Sequence, residues 1–435
     1  MCRSPLQIIA TKSDIDSPHS AMLLKVYGVR TDFISGRIFM ISEKMLELGK
    51  KSSVIREIFE YGKKRKAEIG AENVFDFSLG NPSVPSPEKV TDVMLDLIKN
   101  TPAELLHGYT SASGDVEVKK SIAEYINKKF GFSAKPELIY MTCGAAASLT
   151  ITLNAIAEEG DEVIVFAPFF PEYRVFTEQA GATLKTVPCK KEDLQIDFDA
   201  LEKTLSPKTK AVIVNSPNNP SGVIIPEKDI IKLTDLLKSK QKEYGTTIFL
   251  ISDEPYRELV FNGEKVPYVP KYYKNTFVCY SYSKALSLPG ERIGYISVSP
   301  EMNSANDVFA AVCGAGRALG YVCAPSLMQY TIAKCLDDTA DISVYEKNRK
   351  ILYDALIDIG YTVIKPDGAF YMFLKSPDDD AYKFYEHAKK FELLLVPSDD
   401  FGCTGFVRIA YCVDTAVIEK SLPAFKALYE DYKND

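Results

Sequence analysis

The chain is predicted to be an α/β protein. A large domain would carry a mainly parallel, seven-stranded type of sheet with helices on both faces, beside a smaller α+β domain. Three observations lead there. Between 136 and 300, short apolar runs alternate with helix-spaced stretches, the pattern of a parallel sheet covered on both sides. After 320 that rhythm gives way to helices and short strands without regular alternation. Residues able to do chemistry also recur just past the apolar runs, where open parallel sheets bind ligands.

Taken in order, residues 1–39 are aperiodic and mixed, with Ser13-Asp14-Ile15-Asp16-Ser17-Pro18-His19-Ser20 in their middle. They are expected to be a poorly ordered or unused extension; a transit peptide would normally lack Asp14 and Asp16. A helix is expected over 43–67 and a short strand over 75–79, ending in Gly80-Asn81-Pro82. Helices at 88–99 and 116–130 flank a polar loop, His107-Gly108-Tyr109-Thr110-Ser111. Strands are expected at 138–142, 162–167, 211–216, 247–252, 276–281 and 292–298. The helices between them fall at 146–158, 171–180, 198–205 and 227–244. Beyond 320, helices at 327–336, 344–359 and 415–432 accompany strands at 361–364, 369–374, 393–396 and 406–410. Residues 81–320 would form the large domain, and 40–80 with 321–435 the small one.

Bulk properties exclude several classes. At 435 residues the chain exceeds one simple core. Lys plus Arg is 52 against 59 for Asp plus Glu, a net −7, so no broad face attracts nucleic acid or an anionic membrane. No run is long and apolar enough to span a bilayer. The nine cysteines form no C-x-x-C pair, which points to a reducing, cytoplasmic setting and no structural metal. Only His19, His107 and His387 are present, too few for a histidine-centred hydrolase or metal enzyme.

Five strand ends carry the functional argument. Gly144-Ala145-Ala146 opens a helix where backbone N–H groups can face an anion. Phe169 and Phe170 can stack on a flat ring. Asn219 offers an amide, and Asp253 and Tyr256 a carboxylate and a phenol. Ser281 and Ser283 flank Lys284, with Arg292 eight residues on. A lysine at a buried strand end loses hydration, which frees its amine as a nucleophile. Each feature has a bland counterpart: a helix start, a core phenylalanine, a turn, a helix cap, a surface lysine. The bland readings do not place all five at one sheet edge. Together they supply an anion cradle, a ring plate, a carboxylate for a pyridine nitrogen, phenol and amide donors and a nucleophilic amine, the needs of pyridoxal 5'-phosphate.

At this point the chain resembles the fold-type-I pyridoxal-phosphate aminotransferases of the aspartate aminotransferase kind, class I/II, over about 43–433. The resemblance rests on Ser281-x-Ser283-Lys284 with Arg292-x-Gly294, on Asn219-Pro220-Ser221-Gly222, on Asp253-x-x-Tyr256 and on Phe406-Val407-Arg408-Ile409. It implies that Lys284 forms the Schiff base with the cofactor and shuttles the proton, Asp253 pairs with the pyridine nitrogen, and Asn219 and Tyr256 hold the ring oxygen. It further implies that Phe170 stacks on the ring and that Ala145, Ala146, Ser281, Ser283 and Arg292 surround the phosphate. Tyr109 would reach the phosphate of a neighbouring subunit, making a homodimer with shared sites the working unit. Arg408 would grip the substrate α-carboxylate beside Gly80, Asn81 and Asn219. The chain departs from the family in using Phe170 where tryptophan or tyrosine is frequent, and alanines where the phosphate loop often has hydroxyls.

The expected reaction is ping-pong exchange between an amino acid, aspartate as first guess, and a 2-oxo acid such as 2-oxoglutarate. A pyridoxal-phosphate C–S β-lyase, or another α-carbon enzyme of this fold, is the alternative. A binding module on a dead aminotransferase is the reading from another class, disfavoured because Lys284 is intact. Cys313-Gly314-Ala315-Gly316-Arg317-Ala318-Leu319-Gly320 is rejected as a dinucleotide loop because its glycine spacing is off and no strand precedes it.

Overall fold

The computed structural model describes residues 41–50 and 53–434. The proposed extension at 1–39 lies outside the described residues. The chain divides into two compact units, Met1–Ser53 and Val54–Asp435. In the first, the described residues contribute one helix, Glu43–Lys50. The expected helix over 43–67 is thus two, the second being Val54–Ile69 in the other unit.

That second unit holds a seven-stranded sheet. Its strands are β2 (Ile139–Thr142), β3 (Glu162–Phe166), β4 (Thr183–Val187), β5 (Thr209–Asn215), β6 (Phe249–Asp253), β7 (Thr276–Ser281) and β8 (Gly294–Val298), following the short β1 (Phe75–Asp76). The order is β2-β8-β7-β6-β5-β3-β4. All neighbours run parallel except β8, which is antiparallel to both β2 and β7.

Side chains alternate between two buried faces, so the strands read as continuous apolar runs. Val163, Val165, Ile213, Ile251, Phe277 and Ile296 join Leu149 and Leu153 of the helix Ala145–Ile156 on one face. On the other face, Ile164, Val212, Val214 and Leu250 pack on Ile230, Leu233 and Leu237 of the helix Glu227–Tyr244. Val278 and Tyr280 on that face meet Ile122 and Ile126 of the helix Val116–Phe130.

Several elements escaped the sequence reading, among them β4 and the helices Ala305–Leu319 and Ala381–Ala388. β4 is an edge strand with only Leu184 and Val187 buried, so it shows no apolar run. The helix Ala305–Leu319 was hidden by its glycines, which lower helix propensity. Gly316 has a packing reason: a Cβ there would lie 2.3 Å from the Tyr140 hydroxyl. Arg317 on the same helix is exposed.

A four-stranded antiparallel sheet, order β12-β13-β10-β9, comprises β9 (Val363–Ile364), β10 (Tyr371–Lys375), β12 (Val396–Pro397) and β13 (Phe406–Ala410). The expected strand at 393–396 is split. Its first half, β11 (Leu393–Leu394), pairs in parallel with β1 instead. The helices Ser343–Ile359 and Thr415–Asn434 cover this sheet through Leu352, Leu356, Ile418, Phe425 and Leu428.

Candidate active site

Asp253 is the last residue of β6 and only 4% exposed. Its Oδ2 accepts from the Tyr173 hydroxyl at 2.5 Å and from Asn215 Nδ2 at 3.4 Å. Its Oδ1 is buried and has no partner among the described residues. A buried carboxylate oxygen without a donor is costly, and burial pushes Asp253 up to about 7, with the Tyr173 hydroxyl pulling the other way and Glu254 adding to the rise. A ring N–H would supply the missing donor.

Lys284 lies in the helical turn Tyr282–Ala285 that follows β7. Its Nζ donates to the Gly80 carbonyl at 2.7 Å and lies 5.2 Å from the Phe370 ring centre. Burial lowers it to about 8; Cys412 opposes this, and the Arg292 and Arg408 charges assist it. Near neutral pH a useful fraction is therefore free amine.

Next to this lysine is an anion cradle. Ser281 caps the turn, accepting from the Ser283 N–H and donating its hydroxyl to Ser283 Oγ at 2.8 Å. Arg292 Nη1 donates to Ser283 Oγ at 3.3 Å and to the Pro289 carbonyl. Its own backbone is left-handed, at φ 50°. Gly144 caps the helix that begins with Ala145 and Ala146. It holds φ 88°, and a Cβ would lie 3.0 Å from Arg292 Nη2. Backbone N–H groups of Ala145 and Ala146, two hydroxyls and a guanidinium thus converge, a phosphate-sized demand.

On the opposite side stands Arg408 of β13, 2% exposed. Its Nη1 donates to Asn219 Oδ1 at 3.2 Å and its Nη2 to the Ser78 carbonyl at 2.5 Å, while Nε has no partner among the described residues. No carboxylate pairs with it among the described residues. Its guanidinium lies over the Tyr371 ring at 4.7 Å, and the Tyr371 hydroxyl meets the Tyr256 hydroxyl at 3.1 Å. Burial, then Tyr371, holds Tyr256 well above the ordinary phenol value. Gly80 is tight here: a Cβ would overlap the Tyr371 hydroxyl.

The structure therefore brings Lys284, Asp253, Asn219, Tyr256, Ser281, Ser283, Arg292, Ala145, Ala146, Gly80 and Arg408 to one end of the large sheet. Phe170 follows β3 and packs edge-on against Tyr173 at 5.7 Å. Asn81 is exposed beside Gly80. Tyr109 is 97% exposed and packs on none of these residues. Sequence reasoning missed Tyr173, Asn215 and Tyr371. Asn215, the last residue of β5, could have been found by its place at a strand end; Tyr173 and Tyr371 gave no signal beyond being aromatic. Taken together, the orphaned Oδ1 of Asp253, the cradle and the softened amine of Lys284 fit pyridoxal phosphate.

A family model for aminotransferase class I and II matches residues 72–425. The solved structure of an amino transferase from Eubacterium rectale is 55% identical, with a TM-score of 0.89, covering 91% of this chain and 99% of that one. An aspartate aminotransferase of Thermotoga maritima is 28% identical, covering 91% of this chain and all of the relative. An aromatic-amino-acid aminotransferase of Thermococcus litoralis is 26% identical, covering 88% of this chain and 96% of the relative.

Proposed function

The chain belongs to the class I and II aminotransferases, pyridoxal-phosphate enzymes that exchange amino groups between amino and oxo acids, and we propose that its donor is aspartate, its acceptor 2-oxoglutarate and its working form a homodimer. The observation that carries a carboxylate-bearing substrate is Arg408, a buried guanidinium without an acidic partner among the described residues. Planar forks of this kind bind carboxylates in bidentate fashion. Kinship supports the choice of aspartate, the donor in the name of the Thermotoga relative.

When bound, pyridoxal phosphate supplies a carbonyl that condenses with amines and a ring that withdraws electrons from the substrate's α carbon. The chain does the rest. Asp253 Oδ1 would accept the ring N–H and keep it protonated, and Phe170 would stack on the ring. Asn219 uses its Oδ1 on Arg408, so its amide N–H end is left for the ring oxygen, beside the Tyr256 hydroxyl. Ala145, Ala146, Ser281, Ser283 and Arg292 would hold the phosphate, and in the proposed dimer the partner's Tyr109 would complete that shell. Arg408, with Gly80 and Asn81 alongside, fixes the α-carboxylate. Lys284 Nζ would hold the cofactor's carbonyl carbon and, as a free amine, would accept the proton of the substrate's α carbon. Its lowered pKa matches a base at neutral pH.

The test is a panel of L-amino acids mixed singly with holoenzyme, following loss of the bound cofactor's visible absorbance in one turnover. Aspartate should react fastest, by roughly tenfold or more over aromatic donors. A faster aromatic donor overturns the substrate assignment. Pyruvate and ammonia released from a cysteine conjugate without any oxo acid would point to the lyase chemistry instead.

A further inference from the structure

Tyr371 is the first residue of β10 and is buried. Its backbone is pinned on both sides. Ahead of it, the Asp367 and Gly368 N–H groups donate to the Gly222 carbonyl at 3.0 and 2.9 Å, and the Ala369 N–H donates to the Leu259 carbonyl at 2.9 Å. Ala369 itself sits at a φ of 56°, which a residue with a side chain keeps only where its surroundings impose it. From Tyr371 onward the strand is laddered to β13, with Tyr371 opposite Ala410 and Phe373 opposite Arg408. The fold thus delivers the Tyr371 ring to one place.

At that place one side chain meets the supports of three site residues. The Arg408 guanidinium lies on the ring at 4.7 Å. The hydroxyl stands 3.1 Å from the Tyr256 hydroxyl. It also fills the space that Gly80 leaves by having no side chain, and the Gly80 carbonyl accepts from Lys284.

A phenol carries one hydrogen, so the direction of the bond between the two hydroxyls decides what Tyr256 can do. If Tyr256 donated, its hydrogen would be spent on Tyr371. With Tyr371 donating, the Tyr256 hydrogen stays free for the cofactor's ring oxygen. A hydroxyl that is itself accepting a hydrogen bond is also polarised into a better donor. The Arg408 cation on the Tyr371 ring favours this direction, because positive charge beside a phenol makes it a stronger donor. Burial pushes the Tyr371 hydroxyl up to about 12, and Arg408 opposes that rise.

We propose, on the role assigned above to Tyr256, that Tyr371 is a positioning residue whose hydroxyl donates to Tyr256 Oη and so directs the Tyr256 hydrogen at the cofactor's ring oxygen. A donor on that oxygen draws charge from it and weakens its hold on the proton it shares with the Lys284 nitrogen. Loss of the Tyr371 hydroxyl strengthens that hold.

The experiment titrates the visible absorbance of the bound cofactor against pH in wild type, Tyr371→Phe, Tyr256→Phe and the double variant. Tyr371→Phe keeps the buried ring and its contact with Arg408, so the fold is retained. Its absorbance midpoint should move up by roughly half a pH unit. The double variant should match Tyr256→Phe alone, because Tyr371 acts only through that phenol. The KM of whichever amino donor reacts fastest should stay within about twofold of wild type, since the ring still supports Arg408. An unmoved midpoint in Tyr371→Phe, shifts that add in the double variant, or a raised KM in place of a shift overturns the proposal. An unmoved midpoint in Tyr256→Phe overturns the role of Tyr256 and this proposal with it, which keeps the two failures distinct.

Discussion

Asp253 shows how one residue sets a pH dependence. In the cofactor-free protein its carboxyl is pushed up to about 7 from an ordinary 3.8. The folded chain keeps that proton across the interval, and the unfolded chain releases it near 4. Folding stability contributed by the neutral carboxyl is therefore present at low pH and lost as pH rises from about 4 to about 7, by on the order of 4 kcal/mol. Thermal melts of apoprotein between pH 5 and 7.5 should show this fall in wild type and a flatter profile in Asp253→Asn. Equal slopes would rule it out. Tyr173 acts on the same carboxylate. Its hydroxyl bond to Oδ2 favours the charged form, so Tyr173→Phe should leave Asp253 more easily protonated and less able to pair with the ring nitrogen. A charge-assisted bond of this type contributes about 2 kcal/mol, so cofactor affinity should fall by roughly tenfold or more. Fluorescence titration of apoprotein with pyridoxal phosphate measures it, and an unchanged Kd would show that Asn215 alone orients the carboxylate.

At the scale of elements, the helix Ala145–Ile156 and β8 meet so closely that neither tolerates a side chain. Gly294 would place a Cβ 2.3 Å from the Tyr280 carbonyl and 3.0 Å from the Gly144 Cα. Gly144 in turn stands against Arg292. Gly144→Ala places a side chain at φ 88°, ψ 175°, a region essentially reserved for glycine, at a strain of about 1–3 kcal/mol, and crowds the guanidinium, so it should lower phosphate-group affinity more than it lowers Tm. Calorimetric titration with pyridoxal phosphate beside a melt separates the two, and a loss of Tm with unchanged affinity would refute a role in the cradle. Most of this architecture was legible in the sequence because fully buried parallel strands must be apolar runs, as β5, β6 and β7 are. The site was legible for a related reason: Lys284, Asp253 and Asn219 all lie at or just beyond the ends of such runs. What stayed hidden depends on packing rather than local pattern. β4 is half exposed at an edge, β11 and β12 belong to different sheets although Leu395 alone separates them, and the glycines of Ala305–Leu319 make sense only against Tyr140. Tyr173 and Tyr371 were equally invisible, since a tyrosine's hydrogen-bond partner is set by the fold around it.

Across the molecule, the described residues beyond 53 leave an apolar surface beside the loop that carries Tyr109. Leu95 and Ile98 of the helix Glu88–Asn100, Leu105 and Tyr109 are exposed, and so are Tyr321 and Val322. The chain at 321–323 is tied to the Tyr109 loop: the Cys323 N–H donates to the Ala112 carbonyl and its thiol to the Thr110 carbonyl. Single exposed apolar residues are ordinary, but a contiguous group marks an interface. The homodimer proposed above would give the 97%-exposed Tyr109 a purpose, because in the proposed two-fold dimer each subunit's loop would reach its partner's site. Shared sites make a specific demand on mixtures. Lys284→Ala destroys the lysine of its own subunit's site, whereas Tyr109→Ala damages the site of the other subunit. In a dimer with one subunit of each kind, one site holds both defects and the other holds none. Random reassortment makes half the dimers mixed, so activity should recover to about a quarter of wild type. The assay is run at a cofactor concentration that leaves the Tyr109→Ala homodimer mostly empty, after the two variants are unfolded and refolded together. If each subunit kept its own Tyr109, every site in the mixture would carry one defect, and activity would stay at the mean of the two parents.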